Sequence, residues 1–182
     1  MSAFTVKSEV IRNRDAQPPL LTNPESAQGV AKVAMAAERT SNAGSDLPEA
    51  GTAIKLITIP SNARIHTLEH AAGALGTSSL DIAVFYPTRL PQGGANAPAN
   101  SLAGTCVASS LFATAIAGVD TLRAWTDAMG VGATPTLQNR MLPLWKLVGL
   151  SADPGLEFDL GFTVRTANAI NGYVGLRATY VD

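Results

Sequence analysis

His66, Glu69 and His70 have the spacing in this chain that comes closest to a known chemistry. On a helix, H-x-x-E-H sets two imidazoles on one face and makes the zinc site of the inverted metalloproteases. The context here is extended. Pro60 and the alternation Arg64-Ile65-His66 read as a turn followed by a strand, and four residues along a strand cover about 13 Å, too far for both rings to share a metal. The chain has two histidines, so a third imidazole ligand does not exist, and surface or loop positions are expected for both. Glu157 and Asp159 share one face of an extended run, about 7 Å apart. That loosely permits a glycosidase-type carboxylate pair, but their alternation with Leu156, Phe158 and Leu160 makes them solubilising charges on a wet face. Neither a G-x-S-x-G elbow nor a base partner for a serine is present. Gly93-Gly94 is followed by no Gly-x-Lys-Ser/Thr and no helix start, so it reads as a surface loop, not a phosphate cradle. Cys106 is the one cysteine; it excludes an intrachain disulfide and is expected as a small core hydrophobe. Trp125 and Trp145 are expected as core or interface anchors. These constellations lead to an expectation of no enzyme, no cofactor and no metal.

The elements around those residues are strands. Ile54, Leu56, Ile57 and Ile59 form an apolar cluster rich in β-branched isoleucine that should end at Pro60, which cannot donate to a central ladder. Ser61-Asn62 turns the chain. Leu80, Ile82, Val84 and Tyr86 alternate with Asp81, Ala83 and Phe85, one face buried and the other partly so, up to Pro87. Trp145, Leu147 and Val148 suggest a strand ending at Gly149, and Asp153-Pro154-Gly155 a turn. Leu156, Phe158, Leu160, Phe162 and Val164 alternate strictly with polar residues or glycine, so this strand should have one core face and one wet face. Asn171-Gly172 signals a hairpin into a closing strand built on Val174, Leu176, Ala178 and Tyr180. Short strands at this turn spacing predict an all-β fold, a jelly-roll or β-sandwich. Between them, SLFATAI (111–116 with its flanking serine) has Leu111, Phe112 and Ile116 at helical spacing, and 120–129 fits either a strand or a helical turn.

Residues 1 to 50 differ in kind, holding 11 of the 27 charged residues, four prolines and only short apolar runs. We read 1–43 as an extended N-terminal arm and 44–182 as the sandwich. Such an arm is either a disordered tail or a segment that orders on a neighbouring subunit, kept extended by Pro18-Pro19. Phe4-Thr5-Val6 and Val10-Ile11 could each add a short strand. Gln28 to Arg39 is ambiguous, its Ala, Met, Glu and Lys favouring helix and its Val30, Val33 and Met35 strand, and we lean to strand.

A chain of 182 residues fits one domain, which at this size buries roughly 70% of its unfolded surface. Charged residues make up 15% against about 25% on average, so much of the surface is small and neutral and suits protein contacts. The net charge of −1, with no run of Lys or Arg, points away from nucleic acid and anionic membranes as partners. No apolar h-region and no window of about 18 apolar residues occurs, so neither a secretion signal nor a membrane span is expected.

The motifs also have an order: GTAIKLITIPSNARIHTLEHAAGALGTSSLDIAVFYP, a Gly-rich loop, SLFATAI, PLWKLVGLSADPGLEFDLGFTVRTA and a terminal GYVGLRATYVD. Over about residues 44 to 182 this series resembles the head decoration, or cement, proteins of tailed bacteriophages. The resemblance implies a jelly-roll or β-sandwich that forms a homodimer or homotrimer on the outer capsid surface of the virion and clamps neighbouring major capsid protein subunits. Under that reading Phe4, Val6, Val10 and Ile11 of the arm, and Arg89, Gln92 and Asn96 of the 88–101 loop, are the expected capsid or subunit contacts. The alternative is a β-sandwich binding or adhesion module, such as a fibre or receptor- or glycan-binding domain; it would need a ligand groove, and an aromatic content of 5% speaks against one.

Overall fold

The isoleucine-rich run forms a strand, β3 (Ala53–Pro60), and its local irregularity sets the phase of the core. In the computed structural model, which describes residues 5–7, 31–40, 49–90, 98–109, 111–117, 124–129, 141–166 and 172–182, β3 pairs antiparallel with β9 (Glu157–Thr166). Ile54 faces Phe162, Ile57 faces Leu160 and Ile59 faces Phe158, with a register shift between Lys55 and Ile57. This bulge inserts Leu56 as an extra residue, so residues an odd number apart, Ile54 and Ile57, reach the same face. All four side chains are buried.

On its other side β9 pairs antiparallel with β5 (Ser79–Phe85), which in turn pairs with β6 (Cys106–Ala108) and β7 (Ile116–Ala117). β1 (Thr5–Lys7) adds to β3 in parallel, giving the order β1-β3-β9-β5-β6. The second sheet runs β2-β10-β4-β8, all antiparallel, from β2 (Lys32–Thr40), β10 (Gly172–Val181), β4 (Arg64–Gly73) and β8 (Thr126–Asp127). Between the sheets lies one core: Ile54, Ile57, Leu80, Ile82, Phe158 and Phe162 from the first, Ile65, Leu68, Val174 and Leu176 from the second. The chain is therefore an all-β, two-sheet sandwich.

One side of the sandwich is stitched by main-chain hydrogen bonds that pass from sheet to sheet. Ile82 N–H donates to the Ala113 carbonyl, Ala113 N–H to Ala128, and Ala128 N–H to Leu68 of β4. Phe112, fully buried, seals this seam.

Several expectations are corrected here. The hairpin expected between the strands flanking Asn171-Gly172 is not formed, because β9 and β10 lie in different sheets; Gly172 is inside β10, and Asn171 lies outside the described residues. The dipeptide signal is local, whereas the apolar faces of two strands can equally be buried against each other across a core. Trp145, Leu147 and Val148 are not a strand: Leu144–Leu147 forms a single helical turn, α1, with Pro143 at its N-cap and Val148 N–H bonded back to Leu144. Residues 111–116 of SLFATAI are not helical; they bend and then enter β7, because Phe112 is anchored in the core while the N–H and carbonyl of Ala113 bond to Ala128 and Ile82. The lean to strand for Gln28 to Arg39 agrees with β2 over its described residues.

Candidate assembly surface

The H-x-x-E-H residues sit on strand β4. His66 is exposed, while His70 is half-buried opposite Thr126. Desolvation lowers the His70 imidazole below its ordinary pKa, and the Asp127 carboxylate partly opposes this; its Nδ1 is buried without a hydrogen-bond partner. Glu69 points to the other face and is taken by Arg177, whose Nε donates to Glu69 Oε2 at 2.7 Å and whose Nη2 lies 2.6 Å from the same oxygen. The three residues thus serve different faces of one strand. Among the described residues no group of three or more His, Cys, Asp or Glu could hold a metal.

Glu157 and Asp159 are separated by environment rather than joined. Asp159 is fully buried, a correction to the expected wet face, and its Oδ2 lies 3.4 Å from the Nζ of Lys55, also buried. Thr58 Oγ1 donates to Asp159 Oδ1 at 3.2 Å, Lys55 Nζ donates to the Tyr86 carbonyl at 3.1 Å, and the ammonium sits 5.3 Å from the Phe85 ring centroid. The outer face of β3, β9 and β5 is therefore a second, polar-centred layer. Phe85 and Ala83, expected as partly exposed, are buried in it. Charges enter such a layer only when paired and hydrogen-bonded, and Lys55 and Asp159 meet that condition. Alternation alone marks these residues as outward; it does not reveal that the outward face is covered.

Cys106 is exposed on β6 rather than core-packed. Desolvation nevertheless raises its thiol above the ordinary value, against the pull of the Ala108 backbone and Lys55, so its thiolate population is small. Trp125 lies on the outer face of the second sheet, half-buried, with the Arg177 guanidinium 4.9 Å from its ring centroid and Gly175 beneath it. Trp145 packs half-buried against the core from α1.

The turn after β3 is held from two directions. Ser61 N–H donates to Leu156 and the Ser61 carbonyl accepts from Trp145 N–H at 2.9 Å, while Asp153 Oδ1 accepts from Ser61 Oγ and from Gly155 N–H. Gly155 has the positive φ of 62° that such a turn requires. Pro60, Ser61, Asn62, Asp153 and Gly155 line an open cleft of about 340 Å³ beside it. It is shallow, and its polar groups are spent on the turn itself.

Among the described residues the exposed large apolar side chains are Leu102 and Met141, outside the sheets, and three on the second sheet. Val33 is 65% and Met35 60% exposed on β2, and Tyr173, beneath Arg39, is 57% exposed on β10. Nothing in the sequence marks Val33 and Met35 as surface residues: the alternation of Lys32, Ala34, Ala36 and Glu38 against Val33, Met35 and Ala37 would by polarity turn the apolar set inward, the reverse of the observed burial. Of the residues expected at contacts, Val6 is in β1 and Arg89 is exposed at the end of the segment after β5. Phe4, Val10, Ile11, Gln92 and Asn96 lie outside the described residues.

No family model matches the chain, and no curated protein matches it. Among solved structures it is similar to a chain described as "Capsid of Ralstonia phage GP4", with 19% sequence identity, a TM-score of 0.61, and coverage of 98% of this chain and 97% of the other. At that identity the similarity shows a shared fold, and it extends over both chains nearly end to end.

Proposed function

We propose that this chain is a virion structural protein that decorates an icosahedral phage capsid and stabilises it by clamping neighbouring major capsid protein subunits. The observation that carries the proposal is the two-way, nearly full-length fold similarity to a chain from a phage capsid structure, agreeing with the order of motifs in the sequence. Supporting it, the chemistry-bearing residues are consumed internally: Asp159 by Lys55, Glu69 by Arg177, Asp153 by Ser61 and Gly155. The exposed apolar side chains of the second sheet, Val33, Met35 and Tyr173, suit protein contacts. Several modest contacts presented by one oligomer gain avidity through effective concentration, which is how small interfaces can brace a shell.

The test is co-sedimentation of the purified protein with phage heads stripped of it. Removal of residues 1–43 would take β2 out of the second sheet, so the arm is better probed by replacing Phe4, Val10 and Ile11 with Asp. Saturable binding in a fixed ratio to the major capsid protein is expected, weakened at least about tenfold in the triple variant, or roughly 1.4 kcal/mol. Absence of binding by a folded protein overturns the proposal and points to the adhesion-module alternative, for which glycan and receptor screens follow.

A further inference from the structure

β2 is a nine-residue edge strand. It pairs with β10 on one side, and among the described residues no strand lies on the other. Natural edges of this length are blunted by lysine, proline or a bulge, because a free row of amides and carbonyls templates further pairing. β2 has none of these in its middle: the outward residues there are Val33, Met35 and Ala37, the first two more than half exposed.

We propose that β2 pairs with β2 of a second copy of this chain, antiparallel, about a two-fold axis at Met35. The occupant follows from the strand's own sequence. In an antiparallel pair facing residues must project from the same side of the sheet, so the axis can fall on Ala34, Met35 or Ala36 near the middle of the strand. With the axis at Met35, Met35 faces Met35 of the second copy, Val33 faces Ala37, Ala34 faces Ala36, and Lys32 faces Glu38. With the axis at Ala34, Lys32 faces Ala36; at Ala36, Lys32 faces Thr40, Val33 faces Arg39 and Glu38 faces Ala34. Only the Met35 register puts opposite charges across from each other at both ends while keeping apolar residues together between them, the cross-strand arrangement that stabilises a sheet. Lys32 already holds Asp182 at 2.7 Å, so the new contact would lengthen an existing charge chain. An isologous contact also closes: each copy spends its free edge once, the two four-stranded sheets become one of eight, and no filament grows.

This inference supplies the oligomer for the assembly role proposed above, and its test needs no capsid. In a Cys106→Ser background, Met35→Cys is oxidised mildly and run on a non-reducing gel. Residues facing each other on a two-fold have Cβ atoms close enough to bridge, so a covalent dimer is expected. Val33→Cys, at least as exposed, should stay monomeric alone but link when mixed with Ala37→Cys. Sedimentation equilibrium provides a second reading: Met35→Lys, which sets like charges face to face, should raise the dimer Kd at least about tenfold. Failure of Met35→Cys to link, linking of Val33→Cys alone to the same extent, or an unchanged Kd in Met35→Lys would each overturn the pairing. If any of these occurs while the protein still binds stripped heads, the pairing fails and the capsid role stands; dimers that do not bind heads give the converse.

Discussion

At the scale of single residues, the chain places its reactive side chains where they hold structure. Lys55 and Asp159 are the clearest case, a fully buried ion pair on the outer face of the first sheet. Desolvating two charges costs several kcal/mol each, and attraction at 3.4 Å together with the Thr58 and Tyr86 hydrogen bonds offsets that cost only while both members are present. Asp159→Ala takes away the carboxylate that faces the Lys55 ammonium and should destabilise the fold by about 3–5 kcal/mol. Lys55→Met with Asp159→Leu should lose far less. Urea denaturation of both variants decides this, and equal losses would mean that packing, not charge, governs the layer. A sequence shows Lys55 and Asp159 as two ordinary charges 104 positions apart in the chain; only the β3–β9 register brings them together.

At the scale of elements, the bulge in β3 is the feature on which the first sheet turns. By inserting Leu56 it aligns Ile54, Ile57 and Ile59 with Phe162, Leu160 and Phe158, and it drives the β3 backbone over Gly161. A Cβ at that position would lie 1.9 Å from the Ile54 carbonyl oxygen and 2.9 Å from Lys55 Cα. Since the obstacle is backbone in a central pair of strands, Gly161→Ala should cost more than about 2 kcal/mol or prevent soluble expression. Gly149→Ala is the control: nothing lies within 4 Å there, and only its φ of +87° is strained, worth about 1 kcal/mol. Comparable denaturation midpoints for the two variants would remove the close approach as the reason for Gly161. The strands themselves were legible, since period-two alternation in residues 156–164 and 174–180 is a local property. Trp145, Leu147 and Val148 do not distinguish strand from helix, because a short apolar run interrupted only by Lys146 fits one helical turn as well as a strand, and Pro143 caps the start of that turn.

At the scale of the whole molecule, charge is sparse and balanced: 15% charged residues and a net of −1. Electrostatic steering therefore contributes little to association. Binding to heads should change less than about threefold between roughly 0.05 and 0.5 M salt, a range over which the Debye length falls from about 14 to 4 Å. A salt dependence of tenfold or more in the co-sedimentation assay would instead locate the contact at one of the few charged clusters, such as Arg177 with Glu69. The seam from Ile82 through Ala113 and Ala128 to Leu68 closes one side of the sandwich, and among the described residues β2 is the long edge of the second sheet.

By itself the sequence determined the all-β class, most strand positions, the turns at Ser61-Asn62 and Asp153-Pro154-Gly155, and the extended setting that denies His66 and His70 a shared metal. These follow from alternation, from proline and from glycine, each of which acts within a few residues. The tertiary structure alone decided which sheet each strand joins, that the outer face of β3, β9 and β5 is buried around an ion pair, and that Val33 and Met35 face outward on an edge. Those outcomes depend on what lies across a sheet or a core, between residues that are far apart along the chain. Period-two patterning says that a strand has two faces; only the packed fold says what covers each of them.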